Sequence, residues 1–354
     1  MCPKVVYPDA SESAVHYLNL SPGETLRLSA QFVLYPGKPQ DDDDYVRRMD
    51  GASGMMLGWG LPDSVLARLL DLKVISFTGI GVGNFVNLEQ AAAQGVTVCN
   101  CPGYADDTVA EHTLALMLAT ARHVVRLDKD IRAGRWNQAL EGVSLRGKRL
   151  GIIGLGGIGV RVAALAQALG MEVVAWTRNP SVQRAAETGV EFIALERLVS
   201  ECDVVSLHLA HTPETEGLLD EGLISRMKPG AMVINTARGE IVDEAALMKA
   251  LEENRIRAAG LDVYQDEPLT ADHPWTHLDN VVLSPHVGFN THEAEAEICR
   301  IAADNLVAYF GRLFFPRYQA DKYYDPFMEY VMWLPRMFRR PKTIPECYTR
   351  DDSP

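Results

Sequence analysis

Apolar positions along this chain follow two rhythms. Short runs rich in Val, Ile and Leu, among them LKVISFTG, KRLGIIGLG, MEVVAW, CDVVSLHL, AMVINTA and NVVLSPHV, read as strands. Between them lie longer stretches with apolar residues at helical spacing. The longest, TVAEHTLALMLATARHVVRLDKDIRAG, predicts one helix of about seven turns stopped by Gly134. Strands alternating with helices in this way predict an α/β fold with parallel sheets. The chain has 354 residues, more than one hydrophobic core usually supports, so two domains are expected. One low-complexity tract, QDDDD at 40–44, predicts a solvated helix start, where the helix dipole favours negative charge.

Composition narrows the class. With 47% hydrophobic and 23% charged residues, the chain reads as a soluble globular protein. A net charge of -13 argues against nucleic acid, whose binding rests largely on neutralising phosphates with Lys and Arg, and leaves small molecules or other protein chains as partners. The start, MCPKVVYPDA, lacks the apolar centre of a signal peptide, and no stretch approaches the roughly 20 apolar residues of a membrane span. A cytoplasmic location without membrane association is the resulting expectation. The six cysteines are scattered, without the paired Cys-x-x-Cys units of a zinc site, so no metal is expected.

The chemistry begins at RLGIIGLGGIGVRVAALAQALG. An apolar strand enters Gly154, Leu155, Gly156, Gly157, Ile158 and Gly159, and a helix rich in Ala and Val follows. The first glycine permits the tight turn, the second lets a pyrophosphate approach the backbone, and the third lets helix and strand pack closely. Free N–H groups at the helix start would meet the phosphates. The next strand ends in VVAWTRNP, where an acidic residue would hold a ribose 2′-hydroxyl. Thr177, Arg178 and Asn179 stand there instead. A missing carboxylate removes repulsion of a 2′-phosphate, and Arg178 can bind one, so NADP(H) is the preferred expectation. Arg178 stacked on adenine in an NAD(H) enzyme is the alternative.

Further strands end in NTARGEIVDE, GLDVYQDEP and VVLSPHVG, placing Arg238, Asp262, Glu267 and His286 at one edge of one predicted sheet. In open α/β sheets, ligands bind beyond the carboxyl ends of the strands. Arg238 offers a planar cation for carboxylate or carbonyl oxygens, and His286 a proton donor in reduction or base in oxidation. Glu267 would hold that imidazole in one tautomer. His112 and His123, on the long helix, read as packed or surface groups.

These motifs, GLGGIG, NTARGEIVDEAAL, LDVYQDEP and LSPHVG in order, with TGIGVGN and CNCPGYADDTVAEHT before them, resemble the D-isomer-specific 2-hydroxyacid dehydrogenases over roughly residues 50–312. The resemblance implies a Rossmann-type doubly wound parallel sheet domain, 108–299, inserted into a smaller flavodoxin-like α/β substrate domain, 1–107 and 300–324, with the site in the cleft and a homodimer formed through the cofactor domains. It implies NAD(P)-dependent reduction of a small 2-oxo acid to the D-2-hydroxy acid, or the reverse, with glyoxylate or hydroxypyruvate as the first expectation. It further assigns Thr108, Leu209, Thr236, Ala237, Asp262 and Gly288 to the cofactor, Asp262 at the nicotinamide carboxamide. Val82 and Gly83 would hold the substrate carboxylate through their N–H groups, and Trp59 would line the pocket. Ala210 departs from the family's usual Pro, loosening a loop without removing a chemical group. The expected form is a short one without a regulatory extension. Phosphite or a phosphonate-bearing acid is an alternative substrate, and a cofactor-sensing protein similar to the family's corepressors an alternative function. The aromatic and basic segment 325–354, with Phe327, Tyr330, Val331, Trp333 and Leu334, reads as a tail or as an arm over the cleft or partner.

Overall fold

A strand apolar at successive positions buries both of its faces, and only helices on both sides of a parallel sheet satisfy it. The computed structural model, which describes residues 2–314, contains two such sheets. Strands β1 (Lys4–Ala10), β2 (Gln31–Pro36), β3 (Gly54–Leu57), β4 (Val74–Phe77) and β5 (Thr97–Cys99) pair in parallel in the order β2-β1-β3-β4-β5, the flavodoxin-like order. They lie in a unit formed by the chain up to Tyr104 and again from Glu295.

The second unit, Ala105–Ala294, holds β6 (Arg149–Ile153), β7 (Glu172–Trp176), β8 (Glu191–Phe192), β9 (Val204–Leu207), β10 (Met232–Asn235), β11 (Ala258–Leu261) and β12 (Val281–Leu283). All pair in parallel in the order β12-β11-β10-β9-β6-β7-β8, so the winding reverses between β6 and β9. This is the doubly wound dinucleotide-binding topology with one more strand. Successive side chains point to opposite faces. Val205, Leu207, Val233 and Leu261 accordingly join one buried cluster, while Leu150, Ile152, Val204 and Ile234 join another.

Two expectations are corrected. The long helix is two, Asp106–Ala121 and Val124–Arg132, because His123 takes a left-handed φ of 55°. The Ala121 carbonyl accepts the Val143 N–H at 2.8 Å, which engages the helix end from outside. The aspartate run does start a helix, Asp42–Arg48, with Asp41 as N-cap. Asp44 is buried instead of solvated, paired with Arg47 at 2.6 Å and Arg48 at 3.0 Å. No helix among the described residues is long and apolar enough to cross a membrane. The segment 325–354 lies outside the described residues.

Candidate active site

Register brings the candidate residues to one line. Trp176, Ile153, Leu207, Asn235, Leu261 and Leu283 are cross-strand partners in succession, so six strands of the second unit end level. The residues one step beyond are Thr177, Gly154, His208, Thr236, Asp262 and Ser284, and Arg238, Glu267 and His286 follow within the same turns.

At the centre of this edge β6 gives way to helix Gly157–Ala168. Gly154 has φ 102°, and a Cβ there would lie 2.6 Å from the His208 carbonyl oxygen. A Cβ on Gly159 would run into the Gly154 oxygen, so both positions are closed by the chain itself. Gly156 differs: a Cβ there meets nothing within 4 Å, and as N-cap it leaves the helix start without a side-chain cap. Open space before uncapped N–H groups fits a pyrophosphate.

Beyond β10, Asn235 ties its own turn by accepting the Ala237 N–H at 3.0 Å and donating to the Arg238 carbonyl at 2.9 Å. Any side chain at Gly239 would collide with the Tyr264–Gln265 backbone, so glycine is what lets the Arg238 turn approach the loop after β11. That loop carries Glu267. Its Oε1 accepts the Tyr264 N–H at 3.0 Å, and its Oε2 meets His286 Nδ1 at 2.7 Å. Partial burial opposes the charge on Glu267, but the hydrogen bonds from His286 and Tyr264 and the positive charge of Arg238 outweigh it, leaving its pKa below the usual glutamate value. Arg238 itself donates from Nη1 to the Ala237 carbonyl at 2.6 Å.

Asp262 is 2% exposed and strongly engaged. Its carboxylate accepts Ser284 Oγ at 2.6 Å, Val287 N–H at 3.0 Å and Gly288 N–H at 2.8 Å. His112 Nε2 lies 3.3 Å from the same Oδ1 and 2.9 Å from Ser284 Oγ. Burial works against ionisation of Asp262, yet these donors hold its pKa below the ordinary value. The carboxylate assigned to the cofactor thus also organises the turn that carries His286.

On the other side of the glycine loop, Thr177 is half-buried and Arg178 and Asn179 are exposed. Arg178 Nη2 lies 3.7 Å from Glu214 Oε2. Arg184 donates to the Leu155 carbonyl at 3.3 Å, bringing a second guanidinium to the glycine loop. Leu209 and Ala210 follow β9, and Thr215 Oγ1 donates to the Ala210 carbonyl at 2.8 Å, holding the loop where proline is absent. Thr236 Oγ1 pairs with Thr113 Oγ1 at 2.8 Å, and Thr108 Oγ1 with Thr291 Oγ1 at 3.4 Å.

Within the first unit, Val82 and Gly83 form a short turn after β4. The Val82 N–H is donated to the Ile80 carbonyl at 3.0 Å in this turn. Trp59 is 48% exposed, with Lys38 Nζ 4.1 Å above its ring. The buried Asp9 carboxylate fixes this loop by accepting the N–H groups of Gly58 at 3.0 Å and Trp59 at 2.7 Å.

Sequence reading missed His112, Ser284, Glu244, Glu214 and Arg184. Glu244, nearly buried, accepts the Gln265 N–H at 2.8 Å and Trp275 Nε1 at 3.1 Å, bracing the Glu267 loop. A carboxylate in the first turn of a helix, inside VDEAAL, carries no local sign of that contact.

The chain is similar to known proteins. The family model "D-isomer specific 2-hydroxyacid dehydrogenase, NAD binding domain" matches residues 114–288. Glyoxylate reductase of Aeropyrum pernix is 41% identical over 253 residues, 69% of this chain and 75% of that protein. D-3-phosphoglycerate dehydrogenase of Archaeoglobus fulgidus is 41% identical over 244 residues, and there the match spans about half of the relative's length, 46%. Among solved structures, the NADPH-dependent glyoxylate/hydroxypyruvate reductase of Sinorhizobium meliloti, in complex with NADP and malonate, aligns with a TM-score of 0.75 at 28% identity, covering 88% of this chain and 94% of that one.

Proposed function

Because the chain belongs to the D-isomer specific 2-hydroxyacid dehydrogenase family, which binds a nicotinamide cofactor, we propose that it reduces a small 2-oxo acid to the D-2-hydroxy acid, with glyoxylate or hydroxypyruvate as substrate. The observation that carries this reading is the His286–Glu267 hydrogen bond of 2.7 Å at the strand ends where Arg238 also stands.

With a carboxylate accepting at Nδ1, that nitrogen keeps its proton, and Nε2 becomes the atom that gives a proton to a carbonyl oxygen or takes one from a hydroxyl. Arg238 supplies a fixed cation for the substrate carboxylate and the polarised carbonyl. Gly154, Gly156, Gly157, Ile158 and Gly159 would hold the cofactor pyrophosphate, and Asp262 with Gly288 the nicotinamide end. When bound, the cofactor supplies the hydride for the carbonyl carbon. Incubation with NADPH or NADH and a panel of glyoxylate, hydroxypyruvate, pyruvate and phenylpyruvate should consume cofactor fastest with the first two. A chain that oxidises no cofactor with any of them overturns the assignment.

NADPH is the preferred cofactor in this reading. Among the described residues Arg178 is opposed only by an exposed ion pair with Glu214, and such pairs contribute about 0–1 kcal/mol. Hydrogen bonds from a guanidinium to a charged phosphate are stronger, about 1.5–3 kcal/mol, so a 2′-phosphate displaces Glu214. Arg178→Ala should lower the ratio of kcat/KM for NADPH over NADH about 10- to 100-fold. A higher kcat/KM with NADH in the unaltered chain refutes the preference.

The active form is a homodimer through the second unit. Helix Val124–Arg132 and the segment after it expose Val124 at 54%, Ile131 at 55% and Trp136 at 78%. Val124 and Ile131 stand seven positions apart, on one side of this helix, and exposed apolar groups on one helix face fit an interface. Light scattering should give twice the chain mass for the unaltered protein and the single mass for Ile131→Asp/Trp136→Glu. Equal masses remove this face from consideration.

A further inference from the structure

We propose that His112 is a positioning residue for the reaction: through Ser284 and Asp262 its imidazole sets the conformation of the turn that carries His286. The proposal rests on the reading of His286 as proton donor.

His286 adopts φ 53°, the left-handed region where an L side chain crowds the backbone. Such a conformation persists only where its surroundings over-determine it. Here Asp262 takes the largest share, beside the Glu267 bond to the ring and the Tyr264 hydroxyl on the Ser284 carbonyl. The Asp262 carbonyl accepts the His286 N–H at 2.8 Å, and its carboxylate accepts Ser284 Oγ, Val287 N–H and Gly288 N–H. Four donors from Ser284 to Gly288 converge on Asp262.

Hydrogen-bond bookkeeping then assigns His112. A serine hydroxyl has one proton, and Ser284 Oγ donates it to Asp262 at 2.6 Å. At 2.9 Å from His112 Nε2, the same oxygen must accept, so Nε2 carries the hydrogen. That N–H is shared with Asp262 Oδ1 at 3.3 Å. The ring also closes the space beside Gly288, where a Cβ would lie 3.4 Å from His112 Cδ2 and 3.0 Å from Asp262 Oδ2. The neighbouring Thr113 anchors the same helix to the end of β10 through Thr236. Helix Asp106–Ala121 is thereby keyed to the turn bearing the proton donor, and His112 supplies the key.

The test separates the hydrogen bond from mere bulk. A glutamine amide nitrogen reaches the place of Nε2, whereas that of asparagine falls at the place of Nδ1 and stops short. His112→Asn and His112→Leu should lower kcat about 10- to 100-fold, the loss expected from misplacing a catalytic group by an ångström or so, with substrate KM and NADPH Kd little changed. His112→Gln should recover most of that kcat. In Ser284→Ala the difference between the Asn and Gln variants should shrink, because the nearer acceptor, Ser284 Oγ, is gone and only Asp262 Oδ1 remains. His112→Asn turning over at the unaltered rate, or His112→Gln as slow as His112→Asn, overturns the proposal. His286→Ala is measured alongside: if it alone keeps full turnover, the proton-donor reading falls and the proposal with it, a failure told apart from the others by that variant.

Discussion

His286→Ala should lose about 100- to 10,000-fold in kcat for 2-oxo acid reduction, the usual contribution of a positioned acid or base, while still binding NADPH. Binding survives because the pyrophosphate site is built from the glycine loop and helix start, to which His286 contributes nothing. Titration of intrinsic fluorescence with NADPH and steady-state kinetics on the same preparation distinguish the two effects. An alanine variant with full turnover refutes the role. Glu267→Gln extends the test to pH. The lowered pKa of Glu267 means that its carboxylate is charged at neutrality and loses its charge only as pH falls through that lowered value. At neutral pH an anion therefore faces Nδ1 of His286 and holds the ring in one tautomer. The unaltered chain should lose that orienting charge, and rate with it, only as pH falls through the lowered pKa of Glu267. Glu267→Gln should turn over more slowly at neutrality and lack this acid-side loss. Superimposable acid limbs contradict an electrostatic role for Glu267.

Arg238→Ala should reduce kcat/KM about 100- to 1,000-fold, comparable to the removal of one donor from a preorganised oxyanion site. Arg238→Lys should recover only a small part. Lysine keeps the charge but presents a point ammonium where the substrate meets a planar fork of donors. The turn itself survives both substitutions, since Asn235 holds it through the backbone of Ala237 and Arg238 and Gly239 provides the close approach to Tyr264. A lysine variant as active as the unaltered chain rules out paired recognition by Arg238.

Much of the fold was legible. β6, β9 and β10 are marked by apolar runs, and the glycine loop by residues whose conformational requirement is written in their own type. The break at His123 was not, because periodicity continues through it. Nothing local distinguishes a histidine at φ 55° from its helical neighbours, and the carbonyl freed there is taken by Val143 from elsewhere in the chain. Asp44 misled for a related reason: a run of aspartates looks solvated until two arginines one turn later fold back on it.

The sequence by itself determined which elements form, in what order, and which chemical groups stand at the strand ends, since these follow from side-chain type and spacing within a few residues. Tertiary structure alone decided that six strand ends fall level, that Glu267 reaches Nδ1 of His286, and that Asp262 gathers four donors from one turn. It likewise turned His112 from an unremarkable helical residue into the partner of Ser284, 172 positions away. Register and packing bring such residues together, and neither leaves a trace at the residue itself, because the partner that gives each group its role is supplied by a distant part of the chain.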